Sequence, residues 1–201
     1  MAGKVEARKA ALREKLVEAA EIRIARDGAG ALRARDLAQD AGCALGAIYT
    51  AYDDLNAIIM AVNGRTFRKL GVAVRASVAE ADSEPPTRRL ILMSNAYLHF
   101  ADANTNLWRA LFDLQMQSGG AVPDWYMAAL EDLFANIAQP VSELFPDKGA
   151  EDAGLMVRAL FSSVHGIVLL GLERRISGVP PEQIEQMIAQ VLNQIGQPSE
   201  K

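Results

Sequence analysis

The chain has 201 residues, of which 50% are hydrophobic and 23% charged, a composition typical of a soluble globular protein and not of a disordered one. It offers no run of about 18 consecutive apolar residues and no apolar leader, so we expect a cytoplasmic protein with no membrane partner. The net charge of -4 is uneven, because residues 1–70 carry 12 basic and 9 acidic side chains whereas residues 71–201 carry 9 and 16.

The apolar residues recur at three- and four-residue steps, which predicts an all-α fold. The first helix is predicted over 5–27, ending before Gly28, because glycine suits a left-handed helix cap. Two short helices are predicted between Arg33 and Tyr52, followed by a longer helix over 54–80.

Pro85 and Pro86 are expected to interrupt the helical pattern, since proline breaks a helix interior. Five further helices are predicted, near 87–102, 104–118, 123–139, 150–175 and 181–196. We therefore predict a small head at 1–53, a connecting helix at 54–80, and a larger helical body at 81–201.

The segment from Asp36 to Leu55 has the spacing of a helix-turn-helix. Ala38 is small enough for a close helix crossing, and Gly42 follows where a tight turn is needed. The residues expected to face the shared core are Leu37, Ala41, Cys43, Ile48 and Ala51. An ordinary helical hairpin reproduces any one of these features, but their combination favours a DNA-binding element. The basic head suits a polyanion, although an ordinary solvated basic face gives the same charge.

Two stretches, LVEAAEIRIARDG at 16–28 and RDLAQDAGCALGAIYTAY at 35–52, resemble the N-terminal domain of the TetR (tetracycline-repressor-like) family of transcriptional regulators. The matching residues are Ala19, Ala20, Gly28, Asp36, Leu37, Ala38, Ala41, Gly42, Gly46, Ile48, Tyr49 and Tyr52. The resemblance covers roughly residues 8–60 and implies a three-helix DNA-binding head followed by a larger helical domain for ligand binding and dimerisation.

The body contains LFSSVHGIVLLGL at 160–172, which is similar to a C-terminal domain of this family marked by Trp, three residues, and His-Gly. Phe161 stands where that pattern has its Trp, while His165 and Gly166 match. For His165 we favour packing over ligand contact, and we keep both interpretations.

The predicted recognition helix, at about 44–52, departs from the family pattern. Ala44 replaces a hydroxyl residue that would cap the helix, Leu45 a polar residue, and Leu55 a lysine that would reach phosphate. The candidate DNA-binding residues are Arg33, Arg35, Ala44, Leu45, Gly46, Ala47, Tyr49, Thr50 and Tyr52.

The aromatic and methionine residues of the body are the candidates for an effector site, because pockets for apolar ligands use such side chains. The candidate ligand-binding residues are Met93, Tyr97, Phe100, Trp108, Phe112, Met116, Trp125, Tyr126, Phe161 and His165. We expect a small apolar effector. Dimerisation is expected through the helices at 150–175 and 181–196, although a purely internal core would give the same apolar pattern.

An enzyme is not expected, because the chain has no glycine-rich phosphate loop, no nucleophile-elbow motif and no metal-spaced cluster. No cofactor or metal is predicted. We predict a homodimeric, ligand-responsive regulator that binds double-stranded DNA, more often as a repressor. The alternative is a helical dimer that binds a ligand or a protein and whose helix-turn-helix has lost operator specificity.

Overall fold

Nine α-helices and two short 3₁₀ turns account for most of the residues that the computed structural model describes, namely 2–113, 122–173 and 180–195. The helices are α1 (Ala2–Asp27), α2 (Ala34–Asp40), α3 (Leu45–Ala51), α4 (Leu55–Ala76), α5 (Pro86–Ala103), α6 (Thr105–Asp113), α7 (Asp124–Leu144), α8 (Ala150–Leu172) and α9 (Ile184–Ile195). No strand occurs within these ranges, which confirms the predicted all-α fold with an N-terminal helix-turn-helix.

Several helix ends differ from the predicted ones. The helix α4 ends at Ala76 rather than at 80, and the residues after it form turns. The helix α7 runs past the predicted end at 139 and contains Pro140. Proline removes one helical N–H, but Pro140 and Val141 are buried, so their packing offsets that loss. The predicted end residues 114–118, 174–175 and 196 lie outside the described ranges.

The chain forms two compact units, which do not follow the predicted division of the sequence. Unit 1 comprises 1–68 and 104–127, and unit 2 comprises 69–103 and 128–201. The helix α6 belongs to unit 1 because it packs against α1. The functional boundaries at 53 and 80 remain predictions.

The core of unit 1 joins α1, α2, α3, α6 and the first half of α4. Its fully buried side chains include Leu16, Ile24, Leu37, Ile48 and Ile58. Asn106 on α6 donates to the carbonyls of Ala25 (3.0 Å) and Arg26 (3.2 Å) and so satisfies acceptors at the C-terminal end of α1.

In unit 2, the helices α5, α8 and α9 pack against one another. The core there includes Leu90, Val168, Ile184, Ile188 and Leu192. The helix α7 joins this core through the Phe134 ring, which meets the Phe161 ring edge-on with 5.1 Å between centroids.

Candidate DNA interface and effector cavity

The helix-turn-helix consists of α2, a tight turn, and α3. Leu37 and Ala38 are buried on α2, and Ile48 and Ala51 are buried on α3. Gly42 has a φ of 65°, a left-handed conformation that glycine adopts without strain. The predicted frame is therefore present, and it holds the opposite side of α3 toward solvent.

Four residues of α3 form that solvent-facing side. Leu45 is 46% exposed and Tyr49 is 55% exposed. Gly46 and Thr50 are also exposed, and the Thr50 hydroxyl donates to the Gly46 carbonyl at 3.2 Å. Because that hydroxyl already bonds within its own helix, the polar groups on this face are few.

The other candidate residues of this segment are placed differently. Ala44 is the N-cap of α3 and makes no side-chain cap hydrogen bond, while Ala47 is half-buried. Tyr52 is also half-buried, and the Arg13 guanidinium lies 5.7 Å from the centre of its ring. Tyr52 therefore lies at the edge of the α3 face.

The basic candidates lie at the beginning of α2. Arg33 and Arg35 are both exposed, and Arg33 donates to the carbonyls of Gly30 (2.8 Å) and Leu32 (3.0 Å). Arg23 on α1 forms ion pairs with Asp36 and Asp40 of α2, and its hydrogen bond lowers the pKa of the Asp40 carboxyl. These pairs join α2 to α1 and leave the two α2 arginines at the surface.

A small apolar cavity of about 60 Å³ lies within unit 2. Three of the predicted ligand-binding residues, Met93, Tyr97 and Phe161, line it. Its other walls are the aliphatic residues Val74, Leu90, Leu133, Ile137, Leu160, Val164 and Leu192, together with Ser94 and Phe134. We did not predict these aliphatic residues, because their helical spacing is the same as that of ordinary core positions.

One hydrogen bond lies beside this cavity. The Tyr97 hydroxyl and His165 Nδ1 are 2.7 Å apart, and the rings of Phe161 and His165 stack with 5.6 Å between centroids. Burial lowers the pKa of His165, so its imidazole is neutral at neutral pH. His165 itself does not line the cavity, and this placement is consistent with the packing interpretation.

The remaining candidates are not brought together at this cavity. Unit 1 contains four of them, namely Trp108, Phe112, Trp125 and Tyr126. Phe100 is a half-buried residue of α5 and does not line the cavity. Met116 lies outside the described residues. Their role in ligand binding remains a prediction.

Comparisons with known proteins agree with this architecture. Residues 90–195 match the model of the tetracyclin repressor-like C-terminal domain. A comparison with curated proteins found no match. The matched description does not specify the Trp-His-Gly type, so that detail remains a prediction.

Solved structures with a similar fold include a protein of unknown function from Rhodococcus sp. RHA1, with 24% identity, a TM-score of 0.72, and coverage of 92% of this chain and 93% of that one. The TetR family regulator PfmR from Thermus thermophilus has 19% identity, a TM-score of 0.59, and coverage of 93% and 99%. RolR, solved with resorcinol, has 16% identity, a TM-score of 0.67, and coverage of 98% and 97%. With the family model matching more than half of its residues, the chain belongs to the TetR family of transcriptional regulators.

Proposed function

We propose that this protein is a ligand-responsive repressor that leaves its operator when a small apolar molecule enters the cavity of unit 2. It acts as a cytoplasmic homodimer without catalytic activity. The observation that carries the DNA-binding part is the α3 face, where Leu45, Gly46, Tyr49 and Thr50 are exposed on a helix whose other side is buried.

The chemistry of this face suggests how DNA is contacted. Leu45 is suited to a thymine methyl group, and the Tyr49 hydroxyl to a phosphate or a base edge. Arg33 and Arg35 are exposed at the start of α2, where guanidinium groups can pair with phosphates. Sequence discrimination then rests on few side chains, and phosphate contacts supply much of the affinity.

The effector is proposed to be small and mostly apolar, because the cavity walls are aliphatic and aromatic. RolR, a neighbour in fold, was solved with resorcinol. At about 60 Å³, the cavity is much smaller than the roughly 300–1,000 Å³ of typical ligand pockets. An effector must therefore stabilise a more open form of unit 2, and we propose that this form spaces the two heads wrongly for successive major grooves.

The helix α8 supports a dimer. By length and composition it is apolar enough to cross a membrane, although it contains no run of 18 consecutive apolar residues, and only 28% of its most apolar stretch is buried. Leu155 is 61% exposed, and Ala159, Ser162 and Ser163 are exposed small residues on the same helix. We propose that a second copy covers this face through α8 and α9, which also accounts for the hydropathy of α8.

One observation favours the alternative function. In that alternative, the protein is a ligand- or protein-binding dimer whose head has lost operator specificity. The exposed α3 face carries no charged side chain. A salt-titrated binding assay against the DNA flanking the gene separates the two functions. We expect the affinity for the flanking DNA to be well above the affinity for random DNA. Equal and weak affinity for both DNAs would favour the alternative function.

Replacing Gly46→Glu tests whether α3 enters the groove. Apart from the neighbouring residues and the backbone of α3 itself, no atom lies within 4 Å of a Cβ placed at Gly46, so the subunit has room for the new side chain. We expect DNA binding to be lost, because the carboxylate would face the phosphates, while the circular dichroism spectrum and oligomeric state stay unchanged. Gly46→Gln is the neutral control of matched size. Normal DNA binding by Gly46→Glu would show that another element contacts the groove.

A further inference from the structure

A second cavity, of about 460 Å³ and open to solvent, lies within unit 1 and shares no residue with the cavity of unit 2. It is lined by residues of α1 and α4, together with Tyr52, Pro123 and Trp125. Its volume falls within the roughly 300–1,000 Å³ of small-molecule sites. Its lining differs from that of unit 2, because it combines arginines with aromatic rings.

The charges around this cavity are not balanced. Arg65 is neutralised by Glu14 (2.5 Å) and Glu21 (3.0 Å). Arg13 and Arg68 also line the cavity, and neither forms an ion pair among the described residues. The three arginines and the two glutamates leave a net charge of +1 at this cavity, and the side chains of Arg13 and Arg68 are exposed to an incoming ligand. This balance favours an anionic ligand, and a carboxylate fits the planar guanidinium in a bidentate manner.

One wall of the cavity is an aromatic ring in a defined position. Trp125 is 49% exposed although the rings of Trp125 and Tyr126 meet edge-on with 5.6 Å between centroids. A Cβ added to Gly64 would lie 2.9 Å from the indole, so this glycine leaves the space that the ring occupies against α4. Tyr52 also lines the cavity, and the Arg13 guanidinium lies over its half-buried ring. The exposed face of Trp125, held in this way, is suited to a flat, apolar ring.

Arg13 also links the cavity to α3. Its Nε donates to the carbonyl of Ala51, the last residue of α3, at 2.9 Å. That bond satisfies one of the acceptors left free at a helix C-terminus. The guanidinium of Arg13 lies over the Tyr52 ring, but its two terminal nitrogens form no hydrogen bond or ion pair within the described part of the chain, so they can bind an anion while Nε keeps its bond.

We propose that the cavity of unit 1 binds an aromatic carboxylate, with the ring at Trp125 and the carboxylate at Arg13 and Arg68. This site lies in the DNA-binding unit and is distinct from the proposed effector cavity. A ligand there contacts the same arginine that bonds the end of the recognition helix.

Calorimetric titration of the full chain with 1-naphthoate tests the proposal, and 1-naphthalenemethanol is the uncharged control. We expect 1-naphthoate to bind at least about tenfold more tightly, because the alcohol cannot form a charge-assisted pair. Arg68→Gln should weaken 1-naphthoate binding about tenfold for the same reason. Arg75→Gln is the matched control, since it lies two turns further along α4 and does not line the cavity. Equal binding of acid and alcohol, or no effect of Arg68→Gln, would overturn the proposal.

Ser94→Phe locates the bound probe, because it fills the cavity of unit 2 and leaves unit 1 unaltered. We expect this variant to bind 1-naphthoate as the parent does, and Trp125→Phe to bind it more weakly. Binding lost in Ser94→Phe and kept in Trp125→Phe would place the probe in unit 2. That outcome would refute the second site and leave the proposed repressor function standing.

Discussion

Ala44 precedes α3 in an extended conformation, and its methyl group offers no acceptor to the free N–H groups of the first helical turn. Ala44→Ser supplies this acceptor, so we expect the free energy of unfolding to rise by about 1 kcal/mol. A hydroxyl at this place can also reach a phosphate, so DNA affinity should increase. Urea denaturation and the salt-titrated DNA assay measure the two effects.

The matched control is Ala47→Ser, which places the same hydroxyl inside α3 rather than at its cap. Serine is a poorer helix former than alanine, so this variant should lose about 0.5 kcal/mol of stability. Equal gains at both positions would contradict the capping explanation.

His165 makes stability depend on pH. Burial lowers the pKa of its imidazole from 6.5, so the folded state disfavours protonation more than the unfolded state does. The stability that the neutral imidazole contributes is fully present above pH 6.5, the pKa of the unfolded state. This stability is lost as the pH falls from 6.5 through the lower pKa of the folded state.

Thermal unfolding of the parent chain and of His165→Gln at pH 7.5 and pH 5.5 measures this dependence. We expect the parent to lose more stability on acidification than the variant does. The exposed His99 is present in both chains, so its contribution cancels in the comparison. Identical losses in the two chains would disprove the role of burial at His165.

At the scale of the helices, the position of α6 rests on a polar contact as well as on the core. The Asn106 side chain donates to two carbonyls at the end of α1. Asn106→Ala leaves those carbonyls without these donors, and we expect a loss of about 1 kcal/mol in the free energy of unfolding. Asn193→Ala on α9 is the control, because Asn193 is exposed and makes no side-chain hydrogen bond among the described residues. A loss no larger than that of the control would show that apolar packing alone holds α6.

The helices also show which features a sequence can predict. The order and approximate positions of the helices followed from apolar periodicity, because it relates residues three and four apart in the chain. The continuation of α7 through Pro140 did not follow, because it depends on burial against other helices. The assignment of α6 to unit 1 likewise depends on contacts with α1, which is about 80 residues away in the sequence.

For the whole molecule, the proposed dimer gives a testable surface. Leu155→Glu places a charge on the exposed face of α8, which should weaken dimerisation because an unpaired charge is costly to bury. The side chain is 61% exposed in the subunit, so the fold should tolerate the change. Val72→Glu on α4 is the matched control at 59% exposure. Sedimentation analysis should show a monomer for Leu155→Glu and a dimer for the control, and a dimer for both variants would exclude this face of α8 as the interface.

The sequence by itself determined the helical class, the helix-turn-helix frame and the family, because these depend on local spacing: Ala38, Gly42, Ile48 and the residues between them. The tertiary structure alone decided which aromatic residues share a cavity. Tyr97 and Phe161 meet in unit 2, whereas Trp108 and Trp125 belong to unit 1. All four have the same apolar character in the sequence, and only the packing of helices far apart in the chain distinguishes their surroundings.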